Sequence, residues 1–328
     1  MDIYRFYRPL VRNEKIFSNL SPEKSYNRKA WILAKKGRFA PMRLITYRSS
    51  SGLRLAGMRN NHWVDLNRAD PNVPSCIKAL LAQGPEGLSR AEAALGLGEP
   101  LEPEQLRPAP PVPHPEKIIC VGLNYADHAR ETGVQPPPEP ILFCKFPSAV
   151  CGHDQPIVLP RLSREVDFEA ELVVVIGIGG RHISRQHALQ HVAGYCCGND
   201  VSARDWQIRK PGGQWLLGKS FDTFAPFGPA IFTPDEIPPP NNLKIQLRLN
   251  GQVMQKSSTA QLIFPIEYLV SYVSDVCTLT PGDLIFTGTP PGVGFARKPP
   301  LFLKSGDIVE VEIEKLGVLR NPVVAEQV

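Results

Sequence analysis

Glu165-Val166-Asp167-Phe168-Glu169-Ala170-Glu171 runs straight into the apolar stretch Leu172-Val173-Val174-Val175-Ile176. As one extended strand, its side chains alternate between two faces, so Glu165, Asp167, Glu169 and Glu171 share one side. Acids crowded on one face repel: two carboxylates about 5 Å apart at an effective dielectric of about 20 cost roughly 3 kcal/mol. A bound divalent cation removes that penalty, and all-oxygen ligation points to magnesium, manganese or calcium rather than zinc. The alternative is a solvated polar face on an edge strand.

The next apolar segment, His191-Val192-Ala193-Gly194-Tyr195-Cys196-Cys197, reads as a buried strand that leads to Asn199-Asp200. An acid at a strand's end can point into a cleft and complete a three-carboxylate site. If Val201-Ser202-Ala203-Arg204-Asp205-Trp206-Gln207 opens a helix, Arg204 and Gln207 sit three apart and face the same way. Lys219 follows the apolar Trp215-Leu216-Leu217, which places a cation beside the carboxylates rather than in bulk solvent.

These segments resemble the fumarylacetoacetate hydrolase family. The signatures are Asp167-Phe168-Glu169-Ala170-Glu171, Asn199 to Gln207, Gly218-Lys219-Ser220-Phe221 and Thr287-Gly288-Thr289-Pro290-Pro291-Gly292-Val293-Gly294, in the family's order. The resemblance spans Pro115 to Val324. It implies a β-roll built on a mixed sheet, and it makes Glu169, Glu171 and Asp200 the metal ligands. Glu165 and Asp167 match less clearly and are expected in an outer shell or in solvent.

Strand density and Gly/Pro turns independently suggest mixed β architecture with few helices, an α+β class. Met42 to Tyr47, Leu53 to Met58 and Trp63 to Leu66 read as short strands, and Ser75 to Leu81 and Ser89 to Leu95 as helices. Residues 42–99 are thus expected to form a small N-terminal α/β module. Seven prolines between Pro100 and Pro115 predict an extended linker over residues 100–115. The catalytic domain then covers residues 116–328, with strands at Lys117 to Gly122, Ile141 to Phe146, Glu169 to Ile176, Val192 to Cys197, Leu243 to Leu249, Asp283 to Thr287 and Ile308 to Ile313. Helices are expected at Asn124 to Glu131, His187 to His191 and Ile266 to Val276.

Charge distribution excludes a nucleic-acid binder. The net charge is +5, but residues 1–40 hold ten Lys or Arg against three Asp or Glu, so the rest of the chain carries −2 and has no basic stripe. That acid-poor leader, residues 1–41, fits either an organellar presequence or an extension ahead of a domain starting at Met42. The seven cysteines include no CxxC pair, so neither a disulfide framework nor a thiolate zinc site is indicated. Free thiols suit a reducing compartment: the cytoplasm, or the mitochondrial matrix if the leader is a presequence. No apolar stretch approaches the ~20 residues needed to span a membrane.

His128 and Glu131 lie three apart on one helix, so the carboxylate can orient an imidazole acting as general base. By resemblance, this pair lies on a lid over the metal and activates water or moves a proton. The resemblance also makes Lys219 the group that stabilises an enolate, with Arg204 and Gln207 holding the substrate's distal end and Thr289 contacting its carboxylate. Arg204 and Lys219 could instead pair structurally with Asp205 and Asp222. The glycine-rich turn Thr287 to Gly294 has neither a P-loop's following GK[ST] nor dinucleotide spacing. His182, His187 and His191 lack an acid or cysteine to complete a cluster.

The expected activity is that of a magnesium- or manganese-dependent enzyme (calcium being the third candidate) acting on small 2-oxo acids through a metal-bound enolate. Oxaloacetate keto–enol tautomerisation is the first expectation, with C–C hydrolysis of acylpyruvate or fumarylacetoacetate type, or oxaloacetate decarboxylation, as the alternative. A catalytically silent binding protein is the rival from another class. Three ligand charges, a divalent ion, Arg204 and Lys219 leave the site at +1, suited to an anionic substrate. The expected partners are that 2-oxo acid and a second copy of the chain, with neither nucleic acid nor membrane.

Overall fold

The apolar run forms the strand Ala170–Ile176, buried along its whole length, in a computed structural model that describes residues 41–102, 106–133, 135–237 and 240–327. The expected leader lies outside the described residues, apart from position 41. A strand covered on both faces has no polar side to display, hence the continuous apolar run from Leu172 to Ile176, mostly β-branched. Val192–Asn199 runs antiparallel beside it and is equally buried. Their register sets Gly198 opposite Glu171 and Asn199 opposite Ala170. The acids that begin one strand therefore meet the acid that follows the other.

These two strands are the centre of a ten-stranded mixed sheet. On one side Leu284–Phe286, Ile118–Gly122 and the edge strand Ile141–Lys145 follow, the first two parallel to each other. On the other side lies Ala225–Phe232, and then Arg43–Ser49, Gly52–Arg59 and His62–Asp65. A five-stranded sheet, in the order Gln252–Ser258, Lys244–Leu249, Ile308–Ile313, Gly317–Ala325, Ile157–Leu159, packs against the first. Its strand Ile308–Ile313 alternates partly exposed and buried residues, as a one-sided sheet requires. The helix Ile266–Val276 has the expected bounds and buries Ile266, Leu269, Val270 and Val273, a single 3.6-period stripe.

Three expectations change in three dimensions. The acidic run is not one strand: Val166–Asp167 pairs with Ser202–Ala203 in a separate two-stranded ladder, and Phe168-Glu169 separates it from Ala170–Ile176. Residues 42–99 do carry three strands and the helices Ile77–Ala82 and Pro85–Leu97. Yet Arg43 and Leu44 pair with Phe232 and Ile231, so those strands extend the main sheet. The proline-rich stretch is also no free tether. Its Ala109 amide donates to Thr46 O, Arg107 O accepts from Arg48 N, and Thr46 Oγ1 donates to Pro111 O, strapping it along the first strand.

Candidate active site

Glu169, Glu171 and Asp200 are all buried and offer carboxylate oxygens lying within 4.8 Å of one another. Local backbone bonding fixes them: Asp200 N donates to Glu169 O at 2.9 Å, and Glu169 N donates to Asn199 Oδ1 at 2.9 Å. The short helix Arg204–Arg209 follows the ladder residue Ala203 and carries Arg204 and Gln207 inward, both buried. Trp215–Lys219 is a second short helix, packed so tightly on the first that a Cβ at Gly218 would lie 2.6 Å from Gln207 N. Only glycine allows that approach, and it delivers Lys219 to the acids.

Lys219 Nζ, almost fully buried, bridges Glu169 Oε2 at 2.9 Å and Asp200 Oδ2 at 2.8 Å. Arg204 donates from Nε to Asp167 Oδ2 at 2.9 Å, from Nη2 to Glu169 Oε1 at 2.6 Å and from Nη1 to Gln207 Oε1 at 2.9 Å. Neither cation takes the neighbour suggested by sequence proximity. Asp205 instead accepts from Ser163 Oγ and the Arg164 amide.

Two further residues join the site, one placed only loosely by the sequence and the other not at all. Asp167, expected in an outer shell or in solvent, is fully buried. Besides Arg204 it accepts from the amides of Gly294 and Phe295 at 2.7 and 3.0 Å. Lys145, at the end of the edge strand, is fully buried and stands 2.6 Å from Asp200 Oδ1. It donates to the carbonyls of Val201, Lys219 and Phe224. One added acid and one added base cancel, so the charge balance expected from sequence is unchanged.

The electrostatics show a centre short of positive charge at one corner. Burial would raise the Glu169 carboxyl, but Lys219 and Arg204 outweigh it and hold it at about 2. At Glu171 burial, then Asp200 and Glu169, outweigh the Gly288 amide and the more distant pull of Lys219 and push the carboxyl well above the carboxylate range. A divalent cation among the three oxygens supplies the missing charge, and an all-carboxylate donor set suits a hard ion. The residues present therefore fit a metal. Among the described residues no other cluster of metal-ligating side chains occurs. His182 pairs with Asp275, His187 with Ser184 and His191 with the Ile178 carbonyl.

The glycine-rich turn is organised by acids, one amide at a time. Gly288 N donates to Glu171 Oε2 at 2.7 Å, Gly292 N to Glu131 Oε1 at 3.1 Å and Gly294 N to Asp167 Oδ1 at 2.7 Å. Thr289 Oγ1 accepts from Gln255 Nε2 at 2.9 Å, while Gln255 Oε1 accepts from Ala170 N, between the two ligand glutamates. His128 and Glu131 lie on the helix Ala126–Thr132 with Nδ1 and Oε2 2.9 Å apart. A carboxylate only accepts, so Nδ1 carries the proton of that bond, and in the neutral ring Nε2 is the acceptor. Glu131 thus joins the dyad to the turn that bears Thr289.

A mixed-sheet roll with a buried Glu-Glu-Asp cluster, two of its acids bridged by a lysine, defines a class of proteins whose strand ends carry a carboxylate centre able to hold a metal. Residues 117–324 match the family model described as fumarylacetoacetate (FAA) hydrolase C-terminal. The chain belongs to the fumarylacetoacetate hydrolase family. It is 52% identical over 262 residues to a Bos taurus protein named oxaloacetate tautomerase FAHD2A, mitochondrial, covering 80% of this chain and 83% of that protein. The fumarylacetoacetate hydrolase of psychrophilic Exiguobacterium antarcticum superposes with a TM-score of 0.77 at 35% identity, over 87% of this chain and 100% of that one. A 5-carboxymethyl-2-hydroxymuconate delta-isomerase from Mycobacterium smegmatis does so at 0.70 and 35%, over 88% and 100%.

Proposed function

We propose that this chain is a divalent-metal-dependent oxaloacetate keto–enol tautomerase. The carrying observation is the buried Lys219 ammonium bridging Glu169 and Asp200 at one edge of the three-carboxylate cluster. The Bos taurus relative named as an oxaloacetate tautomerase supports the choice of substrate. Glu169, Glu171 and Asp200 would hold magnesium or manganese. Such an ion, when bound, supplies positive charge that makes the C3–H of a 2-oxo acid more acidic.

Lys219 places a second positive charge where the 2-oxo oxygen gains negative character, and the dry surroundings strengthen it. Gln207 has its Oε1 engaged by Arg204, which leaves its amide N–H groups to serve a substrate oxygen as donors. Arg204 is occupied by Asp167 and Glu169 as well, so its first task is to hold Glu169. The +1 balance favours a dicarboxylate. His128, oriented through Nδ1 by Glu131, takes and returns the C3 proton at Nε2, and Thr289 contacts a substrate carboxylate.

The same His128–Glu131 pair could activate a water instead, which keeps hydrolysis of acylpyruvate or fumarylacetoacetate type as the second reading. Ultraviolet decay of enol-form oxaloacetate on metal-loaded enzyme, beside acetylpyruvate on the same sample, separates the two. An enol decay left at its buffer rate would refute the tautomerase. We further propose a homodimer and, from the relative's printed name, a mitochondrial location.

A further inference from the structure

Each carboxylate of the centre has one oxygen held by a protein group other than Lys219. Asp200 Oδ1 faces Lys145 Nζ at 2.6 Å. Glu169 Oε1 accepts from Arg204 Nη2 at 2.6 Å, and Glu171 Oε2 from Gly288 N at 2.7 Å. One oxygen per residue remains: Asp200 Oδ2, Glu169 Oε2 and Glu171 Oε1. The first two also meet Lys219, but a carboxylate oxygen has two lone pairs and can serve a lysine and an ion together.

Lys145 is the least movable of the three holds. Its ammonium is fully buried, and its protons point at the carbonyls of Val201, Lys219 and Phe224 at 2.9, 2.6 and 2.7 Å. The contact with Asp200 Oδ1 is accordingly an ion pair rather than a directed hydrogen bond. For Asp200 to chelate through both oxygens, an ion would have to approach Oδ1 against that fixed positive charge. The Lys219 carbonyl in the same cradle also ties Lys145 to the end of the helix that delivers Lys219.

We infer that Lys145 is a positioning residue that selects the ion: with Arg204 and the Gly288 amide it makes all three carboxylates single-oxygen ligands, favouring six-coordinate magnesium or manganese over calcium. Calcium takes about 6–8 oxygens, commonly with two-oxygen carboxylates, whereas magnesium takes about six and keeps several for water or substrate. This inference rests on the metal reading above and adds to it which residue sets ion preference.

The test is calorimetric titration of the full chain with manganese and, separately, calcium, in wild type and in Lys145→Gln. Losing the lysine charge changes the attraction for both divalent ions alike, so the ratio of their dissociation constants isolates coordination. Wild type is expected to favour manganese. Lys145→Gln should move the ratio toward calcium by about tenfold, the size typical of losing a group that orients a metal ligand. A folded Lys145→Gln protein with an unchanged ratio overturns the inference and leaves the metal centre standing. Wild type that binds neither ion overturns both. Should Lys145→Gln not fold, water counting on manganese-loaded wild type by oxygen-17 electron–nuclear double resonance decides. Three single-oxygen ligands leave about three waters on a six-coordinate ion, and two or fewer refute the inference.

Discussion

Replacing Lys219 with methionine removes the bridging charge while keeping length and packing. Nζ lies 2.9 Å from Glu169 Oε2 and 2.8 Å from Asp200 Oδ2. At an effective dielectric of about 20, each contact is worth roughly 6 kcal/mol, or roughly 12 kcal/mol together. Desolvating the ammonium takes back several kcal/mol, so the ion-free variant should lose about 3–5 kcal/mol of stability, as when one partner of a buried pair is removed. The remaining cluster is more negative and should bind a divalent cation more tightly. Every tenfold gain in affinity returns about 1.4 kcal/mol at saturating ion. Urea unfolding of wild type and variant, each with chelator and with excess manganese, reads both effects. The stability gap should narrow when the ion is present. A gap equal or wider with manganese would refute the idea that lysine and metal neutralise the same carboxylates.

Glu171→Gln and Asp200→Asn should each weaken manganese binding by at least tenfold, measured by calorimetry; unchanged affinity in both removes the three-carboxylate assignment. Burial, then Asp200 and Glu169, hold Glu171 protonated above its ordinary 4.5 in the ion-free protein. The ion must displace that proton, so affinity should rise by up to about tenfold per pH unit between 4.5 and the raised value, then level off. A dissociation constant that does not change with pH anywhere above 4.5 contradicts this. His128→Ala should abolish turnover while leaving manganese affinity intact, and normal rates on every 2-oxo acid would exclude the dyad. If Arg204 also meets the second carboxylate of oxaloacetate, Arg204→Leu should raise KM for oxaloacetate more than for acetylpyruvate, by roughly 10- to 150-fold for that one charge-assisted bond. Because Arg204 also holds Glu169, it should weaken manganese binding too. Equal KM changes for the two substrates would refute a charge role.

Much of the centre is legible because its signals are local. An apolar run beginning in acids marks Ala170–Ile176, and Asp200 follows a second such run. The helix Ile266–Val276 announces itself by period alone. Ala225–Phe232 does not: Pro226 and Pro229 lack the amide a ladder needs, yet this strand joins the N-terminal strands to the central sheet. Lys145 hides for a different reason. Alone in the apolar segment Ile141 to Phe146 it looks like an edge-strand charge, and its partners at Val201, Phe224 and Asp200 are distant in sequence. Alternation misplaces Asp167, because the break at Phe168-Glu169 turns it from the ligand row toward the amides of Gly294 and Phe295. Spacing also says nothing of the Gln255 crosslink between Thr289 and Ala170, made from the other sheet.

The most direct measurement follows enol-form oxaloacetate on manganese-loaded enzyme by ultraviolet absorbance, with proton magnetic resonance in heavy water on the same sample. The enol should decay faster than in buffer, deuterium should enter C3, and total oxaloacetate should stay constant with no excess pyruvate. Acetylpyruvate should remain intact beside it. Rapid release of pyruvate and acetate from acetylpyruvate, with enol decay at the buffer rate, would contradict the tautomerase and leave the C–C hydrolase in its place.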